Sequence, residues 1–162
     1  MASAYTPIAT TTLGSASTIT FSSIPSTYTD LVIVFSGTMA SLAALFMQFN
    51  GDTGTTYSGT SLSGDGSSAS SGRNTSDNQL RLVQTGGGKT SQFTIISHIQ
   101  NYANTSVYKT ALTRASAGNS ETTAYAGVWR STSAINSVYL FGNGGTNIAS
   151  GTVVTIYGIK AV

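Results

Sequence analysis

Cysteine is absent from this chain, which excludes disulfides and thiolate metal sites and leaves the redox compartment unreadable. Proline occurs only at Pro7 and Pro25, and histidine only at His98. Charge is scarce as well. Asp, Glu, Lys and Arg make up 7% of the 162 residues, against roughly 25% in ordinary soluble domains. The basic residues Arg73, Arg81, Lys89, Lys109, Arg114, Arg130 and Lys160 are scattered, so no cluster neutralises several phosphates and no nucleic-acid partner is expected. No apolar run approaches the roughly 20 residues of a membrane span, so no membrane partner is expected. The opening Met-Ala-Ser-Ala-Tyr-Thr-Pro-Ile has neither the positive nor the apolar region of a signal peptide, and cytoplasmic synthesis is expected. A net charge of +2 gives a free monomer little colloidal protection, which points to a chain that lives in an assembly.

What is present is Ser and Thr throughout, 18 glycines, and eight Tyr and six Phe spread along the length. Regularly spaced Val, Ile, Leu, Phe and Tyr supply the apolar area that offsets chain entropy, so the polar composition does not mean disorder. The length fits one domain with a sizeable core.

Leu31 to Phe35 is a continuous apolar run, β-branched at Val32, Ile33 and Val34, as expected of a strand buried on both faces or nearly so. Leu42 to Phe49 fits a helical stripe and a strand alike. Its short length and its exit into Asn50-Gly51-Asp52-Thr53-Gly54, strong turn chemistry, favour a strand. Two such strands belong at the centre of a sheet. Further short strands are expected near Ser17–Phe21, Gln79–Gln84, Ser91–Ile99, Val107–Arg114, Thr122–Trp129, Ile135–Phe141 and Thr152–Ile159. Turn residues separate them, among them Thr85-Gly86-Gly87-Gly88-Lys89 and Ala117-Gly118-Asn119-Ser120. The pattern predicts an all-β protein, an antiparallel two-sheet sandwich of jelly-roll type. Residues 1–16 form an extended arm or edge strand, with Pro7 confining it to an edge. Residues 17–162 form one sandwich domain, with a long loop at 50–78 where no apolar pattern is visible.

Several motifs invite chemical readings. Gly88-Lys89-Thr90 resembles the end of a phosphate loop, but the required earlier glycine is Val83 and strand follows where helix is needed. Asn50-Gly51-Asp52-Thr53-Gly54 lacks the spacing and the later Glu of a calcium loop, and an Asx-type turn is expected. Glycoside hydrolysis needs two carboxylates on one cleft, and nothing selects a pair such as Asp52 and Asp65 from Asp30, Asp52, Asp65, Asp77 and Glu121. The single His98 has no Gly-x-Ser-x-Gly elbow to serve. Tyr125, Trp129 and Tyr139 suit a sugar-stacking platform or, more ordinarily in a sandwich, a core or subunit interface. No catalytic residue, cofactor or metal site is assigned.

Three stretches together resemble a family of small bacteriophage virion proteins. They are Thr18-Ile19-Thr20-Phe21 with Ile24-Pro25-Ser26-Thr27-Tyr28-Thr29-Asp30-Leu31, then Phe49-Asn50-Gly51-Asp52-Thr53-Gly54 with Tyr57-Ser58, and Val154-Thr155-Ile156-Tyr157-Gly158-Ile159-Lys160. The resemblance implies an oligomeric β-sandwich without catalytic residues, carried on the virion. The expected role is a trimeric capsid decoration or cement protein that binds itself and the major capsid protein or another virion protein. The alternative is a tail or fibre module that binds a receptor or glycan. Interface side chains are expected in the arm, at Tyr5, Pro7 and Ile8, and in the loop, at Asn50, Asp52, Tyr57 and Arg73. The arm is expected to add a strand to a neighbour's sheet edge.

Overall fold

A computed structural model describes residues 5–84, 91–117 and 121–160. The turns expected at 85–89 and 118–120, and the Gly88-Lys89-Thr90 motif, lie outside the described residues. The strands in chain order are β1 (Tyr5–Thr12), β2 (Ile19–Phe21), β3 (Asp30–Gly37), β4 (Leu45–Phe49), β5 (Tyr57–Gly64), β6 (Ala69–Asp77), β7 (Leu80–Val83), β8 (Phe93–Gln100), β9 (Lys109–Ala117), β10 (Glu121–Trp129), β11 (Val138–Gly142) and β12 (Val153–Ile159).

They form two antiparallel sheets, so the all-β sandwich is as expected. The larger has eight strands in the order β1-β12-β3-β8-β9-β10-β5-β6, and the smaller has four in the order β2-β11-β4-β7. The chain switches sheet repeatedly, which forces non-local pairs such as β12 with β3 and β11 with β2.

The two apolar runs both become interior strands, but of opposite sheets. β3 lies between β12 and β8, and β4 between β11 and β7. Leu31, Ile33 and Phe35 of β3 meet Leu45, Met47 and Phe49 of β4 in one buried cluster. Phe35 stacks on Phe93 with ring centroids 4.9 Å apart. Fully burying a side chain of this size contributes about 1.5–3 kcal/mol. Tertiary packing therefore settles the ambiguity of Leu42 to Phe49: Leu45–Phe49 is strand, and Leu42 lies exposed before it.

Two expectations need correction. Residues 50–78 are not a long loop. They contain β5 and β6, a hairpin at one end of the large sheet. The four-stranded sheet covers less than the eight-stranded one, so β6 needs no apolar face and its Ser, Thr and Asn side chains carry no period-2 signal. The hairpin turn is held instead by the Asp65 carboxylate, which accepts from the Ser67 N–H at 2.9 Å and the Ser68 N–H at 2.7 Å, with Gly66 at φ +89°. Second, of the two forms expected for residues 1–16, β1 is the edge strand, as Pro7 implied, and not an arm reaching for a neighbour. It pairs with β12 of its own chain from Tyr5 to Thr12, through a bulge after Pro7, and Ile8 packs against the core.

Candidate interaction surface

The residues expected at interfaces fall into three groups that the fold does not bring together. Asn50, Asp52 and Tyr57 knit the β4–β5 connection to the rest of the sandwich. Asn50 takes a left-handed φ of 54°, a conformation asparagine tolerates. Its side-chain carbonyl accepts from the N–H groups of Asn136 at 2.9 Å and Ser137 at 3.2 Å, and its amide donates to the Ala134 carbonyl at 2.8 Å. Tyr57 is fully buried, and its hydroxyl accepts from the Phe49 N–H at 3.0 Å and donates to the Asp52 carbonyl at 3.1 Å. It is a core residue and presents nothing to a partner, which corrects that expectation. Tyr5, Pro7 and Ile8 sit on edge strand β1, and Arg73 on β6 at the opposite edge.

Asp52 is the polar centre of this connection. One carboxylate oxygen accepts from the Gly54 N–H at 2.8 Å. The other accepts from the Thr56 hydroxyl and the Trp129 indole N–H, each at 2.7 Å. Burial pushes its pKa up, but these three donors outweigh burial and hold the carboxyl below its usual range. Beside it, the Trp129 ring stacks on Tyr57 at 6.2 Å and lies 5.5 Å from Phe49.

The other carboxylates are likewise engaged locally. Asp30 accepts from His98 at 3.1 Å and from the Asn101 N–H at 2.7 Å. Asp77 accepts from the Asn74 side chain and from the Asn78 N–H, and Glu121 from the Thr123 hydroxyl. Asp52 and Asp65 lie beyond opposite ends of β5, about 23 Å apart along the strand, too far to flank one glycosidic bond. Among the described residues no three His, Cys, Asp or Glu side chains converge as a metal site would require. The suggested sugar platform does not form either. Tyr125 and Trp129 are buried, and Tyr139 lies on the other sheet with its ring stacked on Phe141 at 4.9 Å.

The feature that stands apart is the outer face of the eight-stranded sheet. Alternation turns Leu31, Ile33 and Phe35 inward and leaves Val32 and Val34 outward. The register then aligns two outward rows across the sheet. One runs Tyr157, Val32, His98, Leu112, Ala126, Thr60 and Arg73. The next runs Thr155, Val34, Ile96, Arg114, Ala124, Leu62 and Ser71. Leu62 is 63% exposed, Leu112 50% and Ile96 37%. With Ala124 and Ala126 as its floor, this band forms an open trough of about 500 Å³.

The chain matches no protein-family model and no curated protein. The surface must therefore be read from its own chemistry. Strand alternation in the sequence points to the core and not to this face. The signals were nonetheless present: Ile96 directly follows Ile95, so both cannot face one core, and Leu62 and Leu112 stand at polar-face positions among Ser, Thr and Arg.

Proposed function

We propose that this chain is a non-enzymatic structural protein of a bacteriophage particle, a capsid decoration or cement protein that works as a homo-oligomer, a trimer, on the head. The observation that carries this reading is the outer face of the eight-stranded sheet. A nearly uncharged sandwich holds an apolar band open to solvent, as a surface completed by association does. The resemblance of Thr18–Leu31, Phe49–Ser58 and Val154–Lys160 to small phage virion proteins supports the same reading. So does a surface rich in Ser and Thr, short hydrogen-bonding groups whose side chains lose little entropy on docking. The carboxylates give no support to hydrolytic chemistry, since each described one caps a turn or pairs with a neighbour.

The partner in this account is the major capsid protein or another head protein. Deleting the gene from the virus that encodes the chain is expected to give heads that lose DNA at lower temperature. Adding the purified protein back is expected to restore them and to co-sediment with them. Heads of unchanged thermal stability that bind none of the added chain would remove the reading. In solution, light scattering is expected to give three times the 16.6 kDa chain mass, and a clean monomer would remove the trimer.

A further inference from the structure

We infer that the outer face of the eight-stranded sheet is the particle-facing surface, and that it docks on a protein surface that is apolar at its centre and carries carboxylates opposite Arg114 and Arg73. This rests on the virion reading above and names the chemistry of its partner.

The centre of the face is built to receive side chains. An antiparallel sheet with one wet face ordinarily turns polar residues outward. Here β10 contributes Ala124 and Ala126 between Leu62 of β5 and Leu112 of β9, so small residues lie between large ones and leave a groove. Branched side chains from a partner would fill it as two layers of a core interdigitate. On either side the outward rows become mainly polar, with Thr94, Ser116 and Thr122 along one margin and Gln100, Thr110 and Ser58 along the other, where Val128 of β10 lies between Thr110 and Ser58. An apolar centre within a polar rim is the anatomy of a specific interface. The extent also fits. Six strands about 4.8 Å apart and four outward rows about 6.8 Å apart span about 800 Å², one partner's share of a standard interface.

Charge selects the partner. Among the described residues the acid on this face is Asp30, and it is already committed to His98 and the Asn101 N–H. Arg114 and Arg73 are both exposed, and among the described residues neither has an acid within ion-pair distance. A second copy docked face to face would bring the same two cations and no free carboxylate. A surface with acids about 16 Å apart, three strand spacings from β9 to β6 combined with the one-row offset of Arg114 from Arg73, pairs both.

The test uses heads from the gene-deleted virus and the full-length chain carrying Leu112→Asp or Arg114→Glu, with Leu42→Asp as control. Leu42 is 61% exposed but lies in the β3–β4 connection, off this face. All three positions are exposed, so unchanged thermal melts are expected. The first two variants are expected to co-sediment with heads at least tenfold more weakly than wild type, and the control equally well. Wild-type strength in both face variants, or an equal loss in Leu42→Asp, overturns the inference while leaving the virion reading standing. Failure of the wild-type chain to bind heads overturns the virion reading itself. If Leu112→Asp instead lowers the solution mass to that of the single chain without changing head binding, the face joins copies of the chain and the acidic partner is wrong.

Discussion

The Trp129 indole N–H donates to the Asp52 carboxylate at 2.7 Å across 77 residues of sequence. That bond ties the end of β10 to the turn after β4, one strand in each sheet, and so fixes how the two layers close at this end. Trp129→Phe keeps an aromatic ring against Tyr57 and Phe49 but removes the donor. A hydrogen bond to a charged group contributes about 1.5–3 kcal/mol, and a loss of that order is expected in urea unfolding. Because the Asp52 pKa is lower in the fold than its ordinary 3.8, its stabilisation is present above that value and fades as pH falls through the folded one. The Trp129→Phe penalty should therefore shrink in acid. A penalty independent of pH would mean that the ring, not the hydrogen bond, matters.

At high pH the buried tyrosines dominate. Burial raises the pKa of Tyr57, Tyr102 and Tyr125 above the usual 10.0. A raised folded pKa gives stability that is complete below the unfolded value and is lost as pH rises towards the folded one. Lys109 acts in the opposite sense, since burial lowers its pKa from 10.5. With three groups against one, unfolding midpoints should hold below about pH 10 and fall progressively above it. A flat profile would contradict the burial of these hydroxyls.

Gly59 and Gly127 pair across β5 and β10, and the Tyr125 ring lies over both. A Cβ at Gly59 would occupy the space of the Tyr125 hydroxyl end. Gly59→Ala is expected to cost about 1–3 kcal/mol by overpacking. Gly14→Ala, where a Cβ meets nothing within 4 Å, should be near neutral. Equal melting temperatures for the two variants would contradict this account of the glycine pair.

Removing residues 2–12 deletes β1, exposes the β12 edge and uncovers the part of the core beneath Ile8. The truncated chain should melt at a lower temperature and associate through the bared edge. Melting like the full chain, with the same solution mass, would show β1 to be dispensable.

Much of the fold was legible because burial on one face imposes period-2 patterning. β8, β10 and β12 can be read that way from Phe93–Ile99, Tyr125–Trp129 and Val154–Ile159, and β3 from the continuous apolar run Leu31–Phe35. β5 and β6 were hidden because an edge hairpin beyond the smaller sheet is held by main-chain pairing and by the Asp65 turn. Asn50, Asp52 and Tyr57 stood out in the sequence for a real reason, but the reason is internal: they brace the sandwich. The outer face was illegible as a site because Leu62, Ile96 and Leu112 become neighbours only once β5, β8 and β9 take their places around β10.

The central claim is that the chain is built into the virus particle, and quantitative mass spectrometry of gradient-purified virions from the encoding virus tests it most directly. The account predicts the chain at a fixed copy number, a multiple of three, in constant ratio to the major capsid protein across the infectious peak. Its presence in infected cells but absence from that peak would contradict the claim.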